Sequence, residues 1–88
     1  MSEPSSMPIR PLGIALERPG LYRGVTSVAQ MGEILTTQWP EDQQGDVWRV
    51  AVAACLRTLE EQTNAEAARA AFIMAAKDAG ISVREKWL

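Results

Sequence analysis

The chain has 88 residues, of which 47% are hydrophobic and 23% charged, and its formal net charge is −2. These values predict one soluble globular domain and exclude both a disordered chain and a second hydrophobic core. The acidic balance argues against a dedicated nucleic-acid binder, and the absence of histidine removes the commonest general base and metal ligand.

The cysteine content and the apolar runs predict a cytoplasmic location. Cys55 is the single cysteine, so no intramolecular disulfide can form, which is typical of a reducing compartment. No apolar run approaches the roughly 18–20 residues that span a bilayer, so we expect no membrane partner. Residues 1–11 also lack the apolar stretch of a secretory signal.

The N-terminal part of the chain predicts a tail followed by a β-hairpin. We expect residues 1–8 to be a disordered tail and residues 9–88 to form one α+β domain. Apolar residues alternate with small or polar ones over Leu12–Glu17, which predicts a strand. Arg18-Pro19-Gly20 predicts a turn, because proline presets φ at its first central position and glycine accepts positive φ at the second. The hairpin therefore covers about residues 11–25.

Two helices follow, over about residues 27–38 and 46–61. Ser27 and Gln30 form a capping-box pattern at the start of the first helix, and Pro40 disfavours helical geometry in the residue before it. In the second helix the apolar residues spread well beyond the stripe of about 100° that an ordinary surface helix shows. We therefore expect the second helix to be the central one, contacted from several directions.

The third helix is predicted over about residues 64–79. Thr63-Asn64-Ala65-Glu66 is a second capping-box pattern, and Gly80 is a typical residue just after a helix. Its alanines allow a neighbouring helix axis to approach closely. The alternation over Ile81–Trp87 is consistent with a short third strand beside the hairpin or with a loose tail, and we favour the strand.

One set of residues between Thr26 and Ile81 forms one pattern: Trp39-Pro40, Gly45, Ala51, Cys55-Leu56, Ala68-Arg69, Ala71-Phe72-Ile73, Ala75-Ala76 and Ala79-Gly80-Ile81. Taken together, these residues resemble the bacterial domain-of-unknown-function family 982. The resemblance implies a small α+β protein with a hairpin and three helices, and it implies no activity that can be transferred. The chain departs from the pattern at Glu60-Glu61-Gln62, where we expect a glycine after the second helix.

Chemistry-bearing residues predict no active site. Cys55 lies deep in the second helix among apolar neighbours, which favours a core residue with a raised pKa over a reactive thiol. The adjacent carboxylates Glu41-Asp42 and Glu60-Glu61 point about 100° apart on a helix and do not converge on one substrate. We therefore expect a non-enzymatic protein with no metal and no cofactor.

Four residues are candidates for contact with a partner. Ile73, flanked by Met74, falls in the middle of the polar side of the third helix, which is centred on Glu66, Arg69 and Lys77. Either the hairpin or C-terminal segment covers Ile73, or another protein chain does, with a two-fold homodimer as the default geometry. Trp39 is the third candidate, because it either closes an end of the core or anchors a partner.

Arg69 is the fourth candidate, and two arrangements are consistent with its position. In one, it forms an exposed ion pair with Glu66, one turn away on the same helix. In the other, its guanidinium gathers loop carbonyls or a carboxylate such as Asp42 or Asp46 and ties the loop after Trp39 to the third helix.

These observations predict a small interaction or regulatory module that works by contact with an unknown protein partner or with a second copy. The alternative is a nucleic-acid-associated regulator that uses Arg10, Arg18 and Arg23 on the hairpin. It ranks second because the chain carries no net positive charge.

Overall fold

The computed structural model describes residues 6–87 and confirms the α+β fold. Three antiparallel strands form one sheet, in which the first strand of the chain lies between the second and the third, and two of the three α-helices lie against one face of it. The elements are β1 (Pro8–Ala15), β2 (Arg23–Ser27), α1 (Val28–Thr37), α2 (Asp46–Glu61), α3 (Ala65–Asp78) and β3 (Ser82–Arg84), with a 3-10 turn at Glu41–Gln43.

The hairpin starts earlier than predicted. β1 begins at Pro8, and the carbonyl oxygen of Met7 accepts a hydrogen bond from the Val28 amide at 2.8 Å. The prediction that Met7 and Pro8 belong to a disordered tail is therefore wrong. The strand was predicted from alternating apolar residues, and that alternation begins only at Leu12. Residues 1–5 of the predicted tail lie outside the described residues.

The predicted turn between the two strands is confirmed. The Leu21 amide donates to the carbonyl oxygen of Arg18 at 3.3 Å, and Gly20 has φ of +84°, as a type II turn requires at its second central position. The favoured third strand is also confirmed, since Val83 of β3 lies opposite Ile14 of β1.

The sequence correctly predicted where α1 starts and where α3 ends. The Ser27 hydroxyl accepts from the Gln30 amide at 3.1 Å, although Gln30 Oε1 accepts from the amide of Thr26 rather than from that of Ser27. After α3, Gly80 is left-handed, and the Ile81 and Gly80 amides bond to the carbonyls of Ala76 and Lys77. This is a Schellman motif, which satisfies the last carbonyls of a helix.

The connection between α2 and α3 differs from the prediction. Gln62 (φ 56°) and Asn64 (φ 68°) both adopt the left-handed conformation, so Gln62 occupies the position for which a glycine was expected. The capping box predicted at Thr63 and Glu66 is absent: the N-cap residue is Asn64, whose side chain makes no capping hydrogen bond, and the Glu66 carboxylate accepts instead from Arg10 on β1.

α3, not α2, is the most deeply buried helix. α1 and α3 both contact the sheet, whereas α2 packs on those two helices and lies farthest from the strands. Only Ala51, Cys55 and Thr58 of α2 are buried. The broad apolar arc of α2 therefore indicated exposed apolar side chains rather than a central position. The buried residues of α3 are Ala68, Arg69, Phe72, Ile73, Ala75 and Ala76.

A tryptophan covers the outer face of the sheet. Leu12 and Ile14 are fully buried on the face toward the helices, so Gly13, between them, points outward. The indole of Trp87 lies over Gly13 and Gly24, which are paired across β1 and β2: a methyl group built on Gly13 would lie 2.4 Å from Trp87 Cε3. The two glycines therefore leave space for the indole, and a side chain at either position would occupy that space.

We predict that Gly13→Ala displaces Trp87 and lowers the free energy of unfolding by about 1–3 kcal/mol, because a methyl group and the indole cannot occupy the same space. Urea denaturation measures the loss. In a Trp87→Ala background the same substitution should cost almost nothing, because the clash is then absent.

Gly32→Ala is the matched control, since its methyl group would meet Cys55 Cβ at an ordinary 3.8 Å. Within a helix this change should raise the free energy of unfolding by about 0.5–1 kcal/mol. An undiminished cost of Gly13→Ala in the Trp87→Ala background would show that contact with the indole is not the cause.

Candidate functional site

Three of the four predicted contact residues are buried within the chain itself. The exposed fractions are 4% for Trp39, 4% for Arg69 and 8% for Ile73, whereas Met74 is 65% exposed. A role in partner binding stays a prediction for all four, but only Met74 offers a large surface in this conformation.

Arg69 gathers backbone carbonyls, but from segments other than the predicted loop. Its Nε donates to the carbonyl oxygen of Arg10 at 2.9 Å, and its Nη2 donates to those of Pro11 and Glu85. The guanidinium therefore ties α3 to β1 and to the segment after β3. Neither the ion pair with Glu66 nor the tie to Asp42 or Asp46 forms.

The helix face that the sequence marked as polar is the face that meets the sheet. Glu66 forms a bidentate ion pair with Arg10, and the hydrogen bond from Arg10 lowers the pKa of the Glu66 carboxyl. Lys77 pairs with Glu85 at 3.2 Å. Ile73 lies between Arg69 and Lys77 on this face, so burial by the chain's own strands and C-terminal segment explains the apolar residue there.

Two tryptophans belong to the helical core. Trp39 meets Phe72 edge-on, with ring centroids 5.8 Å apart, and its buried Nε1 finds no acceptor in the described part of the chain. Trp48 is half-buried, and its Nε1 donates to the carbonyl oxygen of Leu35 at 2.8 Å. This bond joins the first turn of α2 to the end of α1.

Cys55 lies in the core, as predicted. It is fully buried, and burial raises the pKa of its thiol to about 11, so the thiolate that would react is disfavoured at neutral pH. Over residues 6–87, no three side chains of the types His, Cys, Asp and Glu converge to hold a metal ion. The same residues include no helix long and apolar enough to cross a bilayer.

The largest exposed apolar side chains on the helices are Val50 (63%), Met74 (65%) and Leu56 (54%). Two of them lie on helix faces that lead into one cleft. This cleft, of about 150 Å³ between α2 and α3, is lined by the alanines Ala54 and Ala67 and by five polar residues, Arg57, Thr58, Glu61, Thr63 and Asn64. Val50 lies one turn before Ala54 on α2, and Met74 lies two turns after Ala67 on α3. Because α2 and α3 form a helical hairpin, Val50 and Met74 extend this cleft away from the turn.

Sequence reasoning identified Met74 but missed Val50. Val50 was counted with the apolar arc of α2 and therefore with the core. No local signal separates it from Trp48, which is equally close to the exposed Arg49 and yet half-buried. We call the surface formed by Val50, Ala54, Ala67 and Met74 the helical groove.

We predict that Arg69→Met lowers the free energy of unfolding by about 2–4 kcal/mol, because the carbonyls in two segments lose a charged donor together. Arg69→Lys should cost less but still destabilise, since one ammonium cannot span both segments. Chemical denaturation measures both.

Arg10→Gln is the control, because the pair of Arg10 with Glu66 is exposed and should contribute little. Equal effects at Arg10 and Arg69 would contradict the structural role of the buried guanidinium.

The comparisons with known proteins identify a family without a known role. No curated protein and no solved structure matches the chain. A family model described as "Protein of unknown function (DUF982)" matches residues 10–83, which include all the helices, β2 and most of β1 and β3. The match covers most of the 88 residues, so the chain belongs to the domain-of-unknown-function family 982.

Proposed function

We propose that the protein is a non-catalytic interaction module that binds an amphipathic helix of another protein in the helical groove. The observation that carries the proposal is the pair Val50 and Met74, each more than 60% exposed, on the helix faces that continue from the two alanines of the cleft, Ala54 and Ala67. Small residues allow the axis of a third helix to approach closely, and flanking apolar side chains anchor it. We place this binding in the cytoplasm, where a single free thiol is typical.

The charges along α2 favour a partner of different sequence over a second copy. An antiparallel self-pairing of α2 about Ala53 and Ala54 would set Val50 against Arg57 of the other copy. It would also bring Asp46 against Glu61, so that two carboxylates face each other. A foreign helix that places an acidic residue near Arg57 and an apolar one near Val50 avoids both conflicts.

We predict that the double substitution Val50→Thr with Met74→Gln weakens partner binding at least about tenfold, because each change replaces an apolar contact with a polar group of similar size. The matched control is Val50→Ile with Met74→Leu, which keeps the apolar surface and should keep the affinity. Both double variants should leave the free energy of unfolding nearly unchanged, since these side chains are exposed.

Affinity capture with the wild type and both double variants identifies candidate partners as proteins that only the polar variant loses. Each candidate is then purified and titrated against the isotope-labelled protein. NMR signals that shift along α2 and α3, together with a helical segment in the partner, support the proposal. Shifts confined to the sheet, or equal binding by the polar variant, would overturn it.

A second candidate function rests on charge segregation. Residues 6–27 and 81–87 carry five basic and two acidic residues, whereas residues 28–64 carry two basic and six acidic ones. The rings of Tyr22 and Trp87 lie 6.2 Å apart beside the sheet, with the Arg84 guanidinium 4.6 Å from the Tyr22 centroid. Aromatic rings among basic residues are typical of surfaces that bind single-stranded nucleic acid, and Arg10, Arg18 and Arg23 lie in the same basic segment.

For this candidate we predict that affinity for a labelled single-stranded oligonucleotide falls about tenfold between 50 and 200 mM salt, as two or three phosphate contacts require. Fluorescence anisotropy measures it. Arg18→Gln and Arg84→Gln should each reduce the salt dependence, whereas Arg57→Gln on α2 should not. Absence of binding at low salt, or binding that salt does not change, would exclude this function.

A further inference from the structure

A second cleft, of about 190 Å³, opens at the end of the hairpin, between the β1–β2 connection and the C-terminal end of α1. It shares no residue with the helical groove, so what it binds is independent of the helix binding proposed there. Its lining has one apolar part and one charged part, and these two parts together specify a class of ligand.

The apolar part of the cleft is built by Ile14, Leu16 and Leu21. Ile14 is fully buried and belongs to the core, Leu16 is half-buried, and Leu21 is 49% exposed. Leu21 is the last residue of the type II turn, and the turn holds it beside the cleft. A ligand with an apolar side chain of leucine size would cover Leu21 and gain contact with Leu16.

The charged part of the cleft offers one cation and one anion. Arg23 donates one hydrogen bond, from Nη2 to Gln38 Oε1 at 2.6 Å, and its other N–H groups make no contact with a carboxylate in the described chain. Glu17 is exposed and forms no ion pair within residues 6–87. Arg23 and Glu17 line the same cleft without neutralising each other.

Two side chains of the wall are held in place before any ligand arrives. Gln38, at the C-cap of α1, fixes the Arg23 guanidinium, and the Tyr22 ring lies against Arg84 and near Trp87. A site whose side chains are already ordered spends less conformational entropy on binding.

We propose that this cleft binds an apolar α-amino acid, either as the free molecule or as the C-terminal residue of a peptide. The ligand's carboxylate accepts hydrogen bonds from Arg23, which presents a planar fork suited to a carboxylate. Its side chain lies against Leu16 and Leu21. In the free amino acid the α-ammonium pairs with Glu17, and a peptide lacks that group at its C-terminal residue.

Titration of the isotope-labelled full chain with L-leucine, followed by methyl NMR, tests the proposal. We expect the signals of Ile14, Leu16 and Leu21 to shift, with a dissociation constant of roughly 0.1–1 mM for so small a ligand. Leucinamide, which lacks the carboxylate, should bind about tenfold more weakly. Arg23→Gln should weaken the binding of leucine to the same extent. Arg18→Gln should not weaken it, because Arg18 lies nearby in the chain but does not line this cleft.

The tripeptide Gly-Gly-Leu distinguishes the two sources of the ligand. The ligand is the free amino acid if two results are found. Glu17→Gln weakens the binding of leucine but not that of the tripeptide, and the unaltered protein binds leucine at least as tightly as the tripeptide. If the tripeptide binds more tightly than leucine, the ligand is a peptide C-terminus. The proposal is overturned if the three signals do not move up to about 10 mM leucine, or if leucinamide binds as well as leucine. The comparison with leucinamide uses the unaltered protein, so it decides even if a variant is misfolded.

Discussion

The guanidinium of Arg69 joins three parts of the chain that are distant in sequence: α3, the start of β1 and the segment after β3. A guanidinium stays charged in proteins, so its burial requires polar partners, and the carbonyls of Arg10, Pro11 and Glu85 supply them. This contact helps set which face of the sheet meets the helices. It also holds the carbonyl of Glu85, which lies only two residues before Trp87, whose indole covers the outer glycines.

Sequence patterns predicted the features whose determinants lie within a few residues of each other. The Ser27 cap, the turn at Pro19-Gly20 and the end of α3 at Gly80 each depend on such local contacts. Patterns failed where the determinant is distant in sequence. Helical periodicity showed that Glu66, Arg69 and Lys77 share a face with Ile73, but it could not show that strands cover that face. Charged residues there suggested solvent, whereas they meet the sheet through ion pairs and carbonyls.

The same limit explains why the candidate surfaces were only partly predictable. A broad apolar arc on α2 is compatible with a central helix or with an outer helix that exposes apolar side chains, and periodicity does not separate them. In the structure α2 packs mainly on α1 and α3, so it is an outer helix and Val50 is exposed. The cleft beside Leu21 needed the three-dimensional structure, because Gln38 approaches Arg23 only after α1 has folded back along β2.

The exposed residues of the binding surfaces lie outside the core, and this affects how their variants behave. The core closes around Leu12, Met31, Leu35 and Phe72, all fully buried, and requires neither Val50 nor Met74. Leu21 and Glu17 likewise lie outside it. A domain of this size has a small margin of stability, so a substitution in the core alters folding and binding together. Substitutions at these exposed positions change only the surface that a ligand meets, and a binding defect there reports loss of contact rather than loss of fold.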